Sequence, residues 1–134
     1  LLIILSFLFG FRDDLVGTDT ITYKYIYEYI FVPQSNFEVS RDVLWDLLNY
    51  LLSRFTDDVT YLFLFVSISY LVLPIIGLHS RFKENSIYFF LLFIITPNFF
   101  LYGANGIRNG LAASVFIFSF KYFKNYKQWL YFIL

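Results

Sequence analysis

Three observations predict an all-α, polytopic transmembrane fold: a composition too apolar for one soluble core, uncharged runs long enough to cross a bilayer, and basic residues gathered in alternate short connections. Of 134 residues, 59% are hydrophobic and 25% aromatic, more than a soluble domain of this size hides from water. Ten basic and ten acidic side chains cancel in the total, so nothing points to nucleic acid as a partner. Their segregation along the chain carries more information. The lack of cysteine excludes disulfides, thiolate chemistry and Cys-ligated metal sites within these residues.

The elements follow in order. Residues 1–11 are apolar and lack a small-residue cleavage site after them, so they predict the end of a membrane helix rather than a signal peptide. Residues 20–31 place Tyr23, Ile26, Tyr27 and Ile30 on one face of a short helix that ends near Pro33 and the Gln34-Ser35-Asn36 turn. After Ser40, a plausible N-cap, Val43, Leu44, Leu47, Leu48, Leu51 and Phe55 recur at helical spacing, which predicts an amphipathic helix over 41–54 lying along the membrane interface.

Residues 59–78 form an uncharged run of 20, enough at about 1.5 Å per residue to span the roughly 30 Å hydrocarbon core. A second run, 86–102, contains Pro97, where a kink or an early end is expected. The third, 109–120, barely reaches a span even when Lys121 snorkels and the helix extends to 123. Either it thins the bilayer locally, or the 103–110 turn sinks below the interface and shelters Arg108. Residues 128–134 begin a further apolar segment. These are about three full and two partial membrane helices in one domain, and the apolar ends lead us to expect the amino-terminal part of a longer polytopic protein.

Orientation comes from Lys and Arg near the helix ends. Arg81 and Lys83 lie in one short connection and Lys121, Lys124 and Lys127 in another, which assigns 79–85 and 121–127 to the cytoplasm. Residues 12–57 and 103–108 then face outside. The long loop and the Asp58 after it hold nine acids against Arg12, Lys24, Arg41 and Arg54.

Chemistry concentrates in two outer segments. In Asn105-Gly106-Ile107-Arg108-Asn109-Gly110-Leu111-Ala112 a single arginine stands between apolar runs, a costly placement that hints at function. Its planar fork suits a phosphate or pyrophosphate, glycines admit close backbone approach, and a helix N-terminus adds positive potential. The alternative is a headgroup anchor. In Arg12-Asp13-Asp14-Leu15-Val16-Gly17-Thr18-Asp19, either Asp19 or Asp14 can serve as a general base toward a hydroxyl, or else cap the helix that begins at Thr20. Arg12 divides between phosphate contact and anchoring. Asp57 and Asp58 suit the dipole at a helix start, and His79 stands without a second ligand for a metal. Trp45 and Trp129 fit interface positions, although aromatic platforms also suit sugar rings.

The order Arg12, Gly17, Asp19, Tyr23, then an acidic loop with an amphipathic helix, then Asn105 through Ala112 opening a membrane helix, resembles the EpsG-like family of exopolysaccharide polymerases, kin in role to Wzy-type polymerases. The resemblance covers about residues 11–123; the family commonly shows Gln where this chain has Asn109, which keeps the amide chemistry at shorter reach. It implies a protein of the bacterial cytoplasmic membrane that joins repeat units carried on polyprenyl pyrophosphate at the outer face, in exopolysaccharide or capsule synthesis. The implied partners are that lipid-linked oligosaccharide, the bilayer, and other polysaccharide synthesis and export proteins.

The resulting expectation is a glycosyltransferase with Asp19, Asp14 and Arg108 as catalytic candidates and Arg12, Tyr23, Asn105 and Asn109 as substrate-binding candidates. No metal site and no cofactor are required, while a divalent cation shared between carboxylates and pyrophosphate is compatible with the scheme. A lipid-linked oligosaccharide flippase or a non-catalytic export subunit is the competing class.

Overall fold

The computed structural model describes residues 2–38 and 42–122. The expected cap at Ser40, Arg41, the basic Lys124 and Lys127, Trp129 and the 128–134 segment lie outside the described residues. All regular structure among those described is helical: α1 (Leu2–Gly10), α2 (Thr20–Ile26) running into a π-helical turn (Tyr27–Phe31), α3 (Val43–Ser53), α4 (Thr60–Phe82), α5 (Ser86–Ile95), α6 (Pro97–Ala104) and α7 (Ile107–Phe118), the last closed by a 3-10 turn (Ser119–Tyr122).

The 23-residue α4 is the axle, about 34 Å long, and α1, α5 and α7 all pack on it. The stretch from Thr60 to Ile95 that it opens is the one run among the described residues long and apolar enough to cross a membrane. Small and hydroxylated side chains set its contacts. Ser67 Oγ donates to the Ser6 carbonyl at 3.1 Å, Ser114 Oγ to the Tyr70 carbonyl at 3.0 Å, and the Tyr70 hydroxyl to the Phe99 carbonyl at 2.9 Å. At Gly77 the α7 backbone comes so close that any Cβ would overlap the Ile117 carbonyl.

Two apolar clusters divide the interior. Leu5, Phe9, Tyr70, Leu71 and Phe99 hold α1, α4 and α6 together, with Tyr70 and Phe99 stacked at 5.4 Å. Tyr27, Val59, Leu62, Phe63, Val66 and Ile107 fasten the loop between α1 and α4 to α4 and α7. The opposite face of α4 shows Tyr61, Phe65, Ile68, Val72 and Ile76 to the surroundings, and α1 does the same with Ile3, Ile4, Phe7, Leu8 and Phe11. Exposed apolar faces this continuous mark surfaces that meet a membrane or a protein partner.

The interruption expected at Pro97 is present: Thr96 is extended (ψ 137°), α5 ends at Ile95, and Pro97 opens α6 at its first position, where a missing N–H costs nothing. Three expectations need correction. The third helix begins at Ile107, so Arg108 stands in its first turn rather than before it. Arg108 is also not sheltered, being half exposed. In the 20–31 segment Phe31, not Ile30, is buried with Tyr27, because the Val32 N–H bonds back five residues to the Tyr27 carbonyl and the wider π turn carries the buried face one residue further.

The helix at 43–53 forms, and its apolar residues divide: Trp45, Leu48 and Leu52 pack on the core while others face outward. Leu44 is 83% exposed and Leu51 50%, while Asn49 and Ser53 are buried against the protein. Asn49 Nδ2 donates to the Trp45 carbonyl and Ser53 Oγ to the Tyr50 carbonyl, so both polar groups are satisfied inside.

Candidate functional site

The loop after α1 folds back on itself before α2 begins. Asp13 Oδ1 accepts the Leu15 N–H at 2.9 Å, and Gly17 turns the chain with φ +83°, a left-handed value that favours glycine. A Cβ on Gly17 would lie 2.9 Å from the Ala104 carbonyl oxygen. That closeness shows where the turn docks: on the link between α6 and α7, almost ninety residues away in sequence.

Asn105 and Arg12 make the joint. Asn105 Oδ1 accepts the Asp19 backbone N–H at 2.9 Å and the Thr18 hydroxyl at 3.2 Å. Arg12 Nη1 donates to the Ala104 and Gly103 carbonyls at 3.0 and 3.2 Å, and the guanidinium lies 4.0 Å over the Phe63 ring. The last carbonyls of a helix lack internal partners and carry negative potential, so a buried cation is a natural cap there. Burial pushes the Arg12 pKa down to about 10, which still leaves it charged at neutral pH. Its Nε and Nη2 are buried without a hydrogen-bond partner.

Tyr23 stands where the two segments meet. Its hydroxyl feels the charge of Asp19 and, with the opposite effect, those of Arg108 and Arg12, with the Arg108 backbone in hydrogen-bonding reach. Desolvation raises its pKa first and Asp19 second, against the two arginines. The ring meets the Trp45 ring edge-on at 5.5 Å, tying α2 to α3. Asp19 occupies the N-cap position of α2, yet its side chain makes no cap hydrogen bond. Among the described residues only the Thr18 hydroxyl reaches it, at 3.2 Å, and shares its one proton with Asn105 Oδ1, so the carboxylate keeps acceptor capacity for a ligand.

Arg108 forms an ion pair with Asp42, both half exposed. The pair sits at a 530 Å³ cavity between α3 and α7, lined otherwise by Val43, Leu44, Trp45, Leu48, Leu111, Ala112 and Val115. Asn109 is exposed on the same first turn of α7, its amide beside Gly106. Asp14 turns instead to Lys24, at 2.7 Å on the surface, a bond that raises the Lys24 pKa.

Asp58 accepts the Thr60 N–H at 2.8 Å, and its bonds to Thr60 hold its pKa below the usual carboxylate value. Among the described residues no three or more His, Asp or Glu side chains converge as a metal cluster would require.

Arg12, Asp19, Tyr23, Asn105 and Arg108 are therefore brought together, Asn109 borders them, and Asp14 is engaged elsewhere. Two features escape sequence reasoning: Asp42 as the partner of Arg108, and the cavity behind them. Nothing in the local pattern at Asp42 differs from other acids of the loop. Arg54 also has an unforeseen place, donating to the Phe31 and Val32 carbonyls at 2.6 and 3.0 Å, where it caps the π turn as Arg12 caps α6.

Chemically the cluster offers a carboxylate with free acceptor capacity, a phenol, and an accessible guanidinium beside an apolar hollow. Among curated proteins and among solved structures, none matches the chain. The EpsG family model matches residues 1–134, and with the whole chain covered this protein belongs to the EpsG family.

Proposed function

We propose that the chain forms part of a membrane glycan polymerase, which joins polyprenyl-pyrophosphate-linked repeat units at the outer face of the bacterial cytoplasmic membrane. The supporting observation is the convergence of two distant segments, which brings Asp19 and Arg108 both within electrostatic reach of Tyr23. Membership of a family associated with exopolysaccharide polymerisation points the same way. The outward apolar faces of α1, α3 and α4 fit a multi-pass protein, with residues 12–57 and 103–108 outside and α5 and α6 entering the bilayer as two short helices whose exposed side chains are mostly apolar.

In this reading the hydroxyl of the acceptor repeat unit attacks the anomeric carbon of the donor. The new bond joins that oxygen to C1, the bond from C1 to the pyrophosphate oxygen breaks, and polyprenyl pyrophosphate leaves with the electron pair. Asp19 takes the hydroxyl proton. Arg108 neutralises the charge that grows on the leaving pyrophosphate, and Tyr23 and Asn109 hold sugar or phosphate oxygens by hydrogen bonds. Asn105 and Arg12 act by position: they fix the Asp19 loop to the start of α7. Of the two candidate bases Asp19 is the better placed, since Asp14 is occupied by Lys24. No step depends on a cofactor; a divalent cation bridging Asp19 and the pyrophosphate is compatible with it.

A flippase for the same lipid would also use an accessible arginine beside an apolar hollow, but it needs no base. The test replaces Asp19 with Asn and Arg108 with Ala and with Lys in the host, at matched membrane levels, and sizes surface and lipid-linked glycans. The polymerase reading expects single repeat units outside and no long polymer, a loss of about 10²-fold or more for either site, with Lys a poor substitute for Arg. Normal chain length in Asp19→Asn would overturn it in favour of transport.

A further inference from the structure

The hollow behind Arg108 has a composition that a glycan does not explain. Apart from Asp42 and Arg108 at its edge, its walls are Val43, Leu44, Trp45 and Leu48 from α3 and Leu111, Ala112 and Val115 from α7. Sugars bring hydroxyls, each of which would be stranded without a partner against such walls. Its 530 Å³ falls within the roughly 300–1,000 Å³ usual for small-molecule sites. An apolar chamber with a guanidinium at its edge is complementary to one kind of molecule: a hydrocarbon chain ending in an anion.

Asp42 supplies the second observation. It is the residue just before α3, and its carboxylate contacts Arg108 across the outer rim of the cavity. Both groups are half exposed, so the pair has the strength of a surface ion pair and a bidentate diphosphate competes with it on favourable terms. Arg12, by contrast, holds backbone carbonyls that no ligand can displace without loosening the end of α6.

Resting on the polymerase reading for the identity of the lipid, we infer that the cavity between α3 and α7 seats the first isoprene units of a polyprenyl pyrophosphate, and that Asp42 occupies the anion position on Arg108 until the pyrophosphate displaces it. The α3 helix is then the movable wall. Its outward side, with Leu51 50% exposed, stays in contact with acyl chains, and Leu44, 83% exposed at the cavity wall, leaves that side open, so a lipid enters sideways from the bilayer without crossing water.

The test measures binding of radiolabelled geranylgeranyl pyrophosphate to the full protein in nanodiscs, with inorganic pyrophosphate and geranylgeraniol as separate competitors. Asp42→Asn should tighten the labelled lipid by about two- to five-fold, the equivalent of a surface ion pair removed from the competition. Ala112→Trp, which fills the chamber, should weaken it at least tenfold while leaving competition by inorganic pyrophosphate intact in the Asp42→Asn background. Competition by geranylgeraniol alone in the parent, lost in Ala112→Trp, identifies the chamber as the tail site. Nanodiscs with and without phosphatidylglycerol separate a polyprenyl site from a general anionic-lipid site; equal displacement by phosphatidylglycerol overturns the assignment. Unchanged or weaker binding in Asp42→Asn overturns the displacement, and unchanged binding in Ala112→Trp overturns the tail site. These results stand apart from the polymerase reading, which the glycan-sizing experiment decides: a lipid bound as inferred with normal polymer in Asp19→Asn leaves the site intact and makes the protein a transporter.

Discussion

Arg12 and Arg108 lie on two sides of one cluster and differ in what holds them. Arg12 is partly buried, over the Phe63 ring, with its donors on the Gly103 and Ala104 carbonyls. Arg108 is half exposed and meets a carboxylate at the rim of an apolar chamber. The difference teaches that a cation beside apolar segments is not a site in itself. What decides is whether its partner can be exchanged. Helix-end carbonyls belong to the fold and have no substitute, whereas a half-solvated carboxylate can yield to a diphosphate.

The sharpest way to break this comparison is to remove each arginine and read stability apart from activity. Arg12→Ala uncaps α6 and deletes two charge-assisted hydrogen bonds, an expected loss of about 3 kcal/mol. In detergent it should melt several degrees below the parent and accumulate poorly in the membrane. Arg108→Ala removes one surface ion pair and should cost no more than about 0.5 kcal/mol while polymer is lost. If Arg12→Ala melts with the parent, the division of labour between the two arginines collapses.

Next in size is Gly17→Ala. The left-handed φ of +83° and the Ala104 carbonyl 2.9 Å from any Cβ both oppose it, for an expected cost of about 2 kcal/mol. Because Gly17 lies on the Arg12 side, the loss should be additive with Arg108→Ala and not with Arg12→Ala. Additivity with both, in thermal melts of the double variants, would mean that the loop and the α6 end do not act as one unit.

How far these features could be read in the chain follows from the range of the forces involved. The break before Pro97 is a local matter of one missing N–H, and the long apolar α4 one of length and composition; both are legible in a window of a few residues. Asn105 and Asp19 both drew attention as chemistry-bearing residues, but their meeting across 86 positions is tertiary, and no spacing rule reports it. Burial is tertiary too. Arg108 looked the sheltered arginine because its neighbours in sequence are apolar, yet Arg12 is the one covered, by Phe63 from α4. The divided stripe of α3 has a related cause. Helical periodicity marks an apolar face without saying which medium it meets, and here the protein side receives Asn49 and Ser53 beside Trp45, Leu48 and Leu52, while Leu44 and Leu51 stay exposed.

A smaller effect tests the joint between the two sides. Asn105→Ala removes the acceptor for the Asp19 N–H and the Thr18 hydroxyl, with an expected cost of about 1 kcal/mol. Chain length should shorten while the apparent affinity for geranylgeranyl pyrophosphate stays within twofold or so, the equivalent of a few tenths of a kcal/mol. A loss of lipid affinity would show that Asn105 belongs to the Arg108 mouth rather than to the positioning of Asp19.

The smallest expected signal is a difference in tyrosine titration. Tyr27 is fully buried and donates to the Thr56 carbonyl at 2.8 Å, and burial, with Asp57 and Asp58, pushes its pKa up to about 12. Tyr23 is also raised, but Arg108 and Arg12 pull it back. For a phenol raised on folding, the neutral form is favoured in the folded state; its contribution is complete below the ordinary value near 10 and fades as pH rises toward 12. Stability should therefore fall over that window, and Tyr27→Phe should flatten the fall. Arg108→Ala should move the Tyr23 titration further up and leave that of Tyr27 in place, read as the difference in phenolate absorbance against Tyr23→Phe. A Tyr27 that follows Arg108 would mean that the mouth and the buried wall behind it are electrostatically one region, and that an anion arriving at Arg108 is sensed as far as the start of α4.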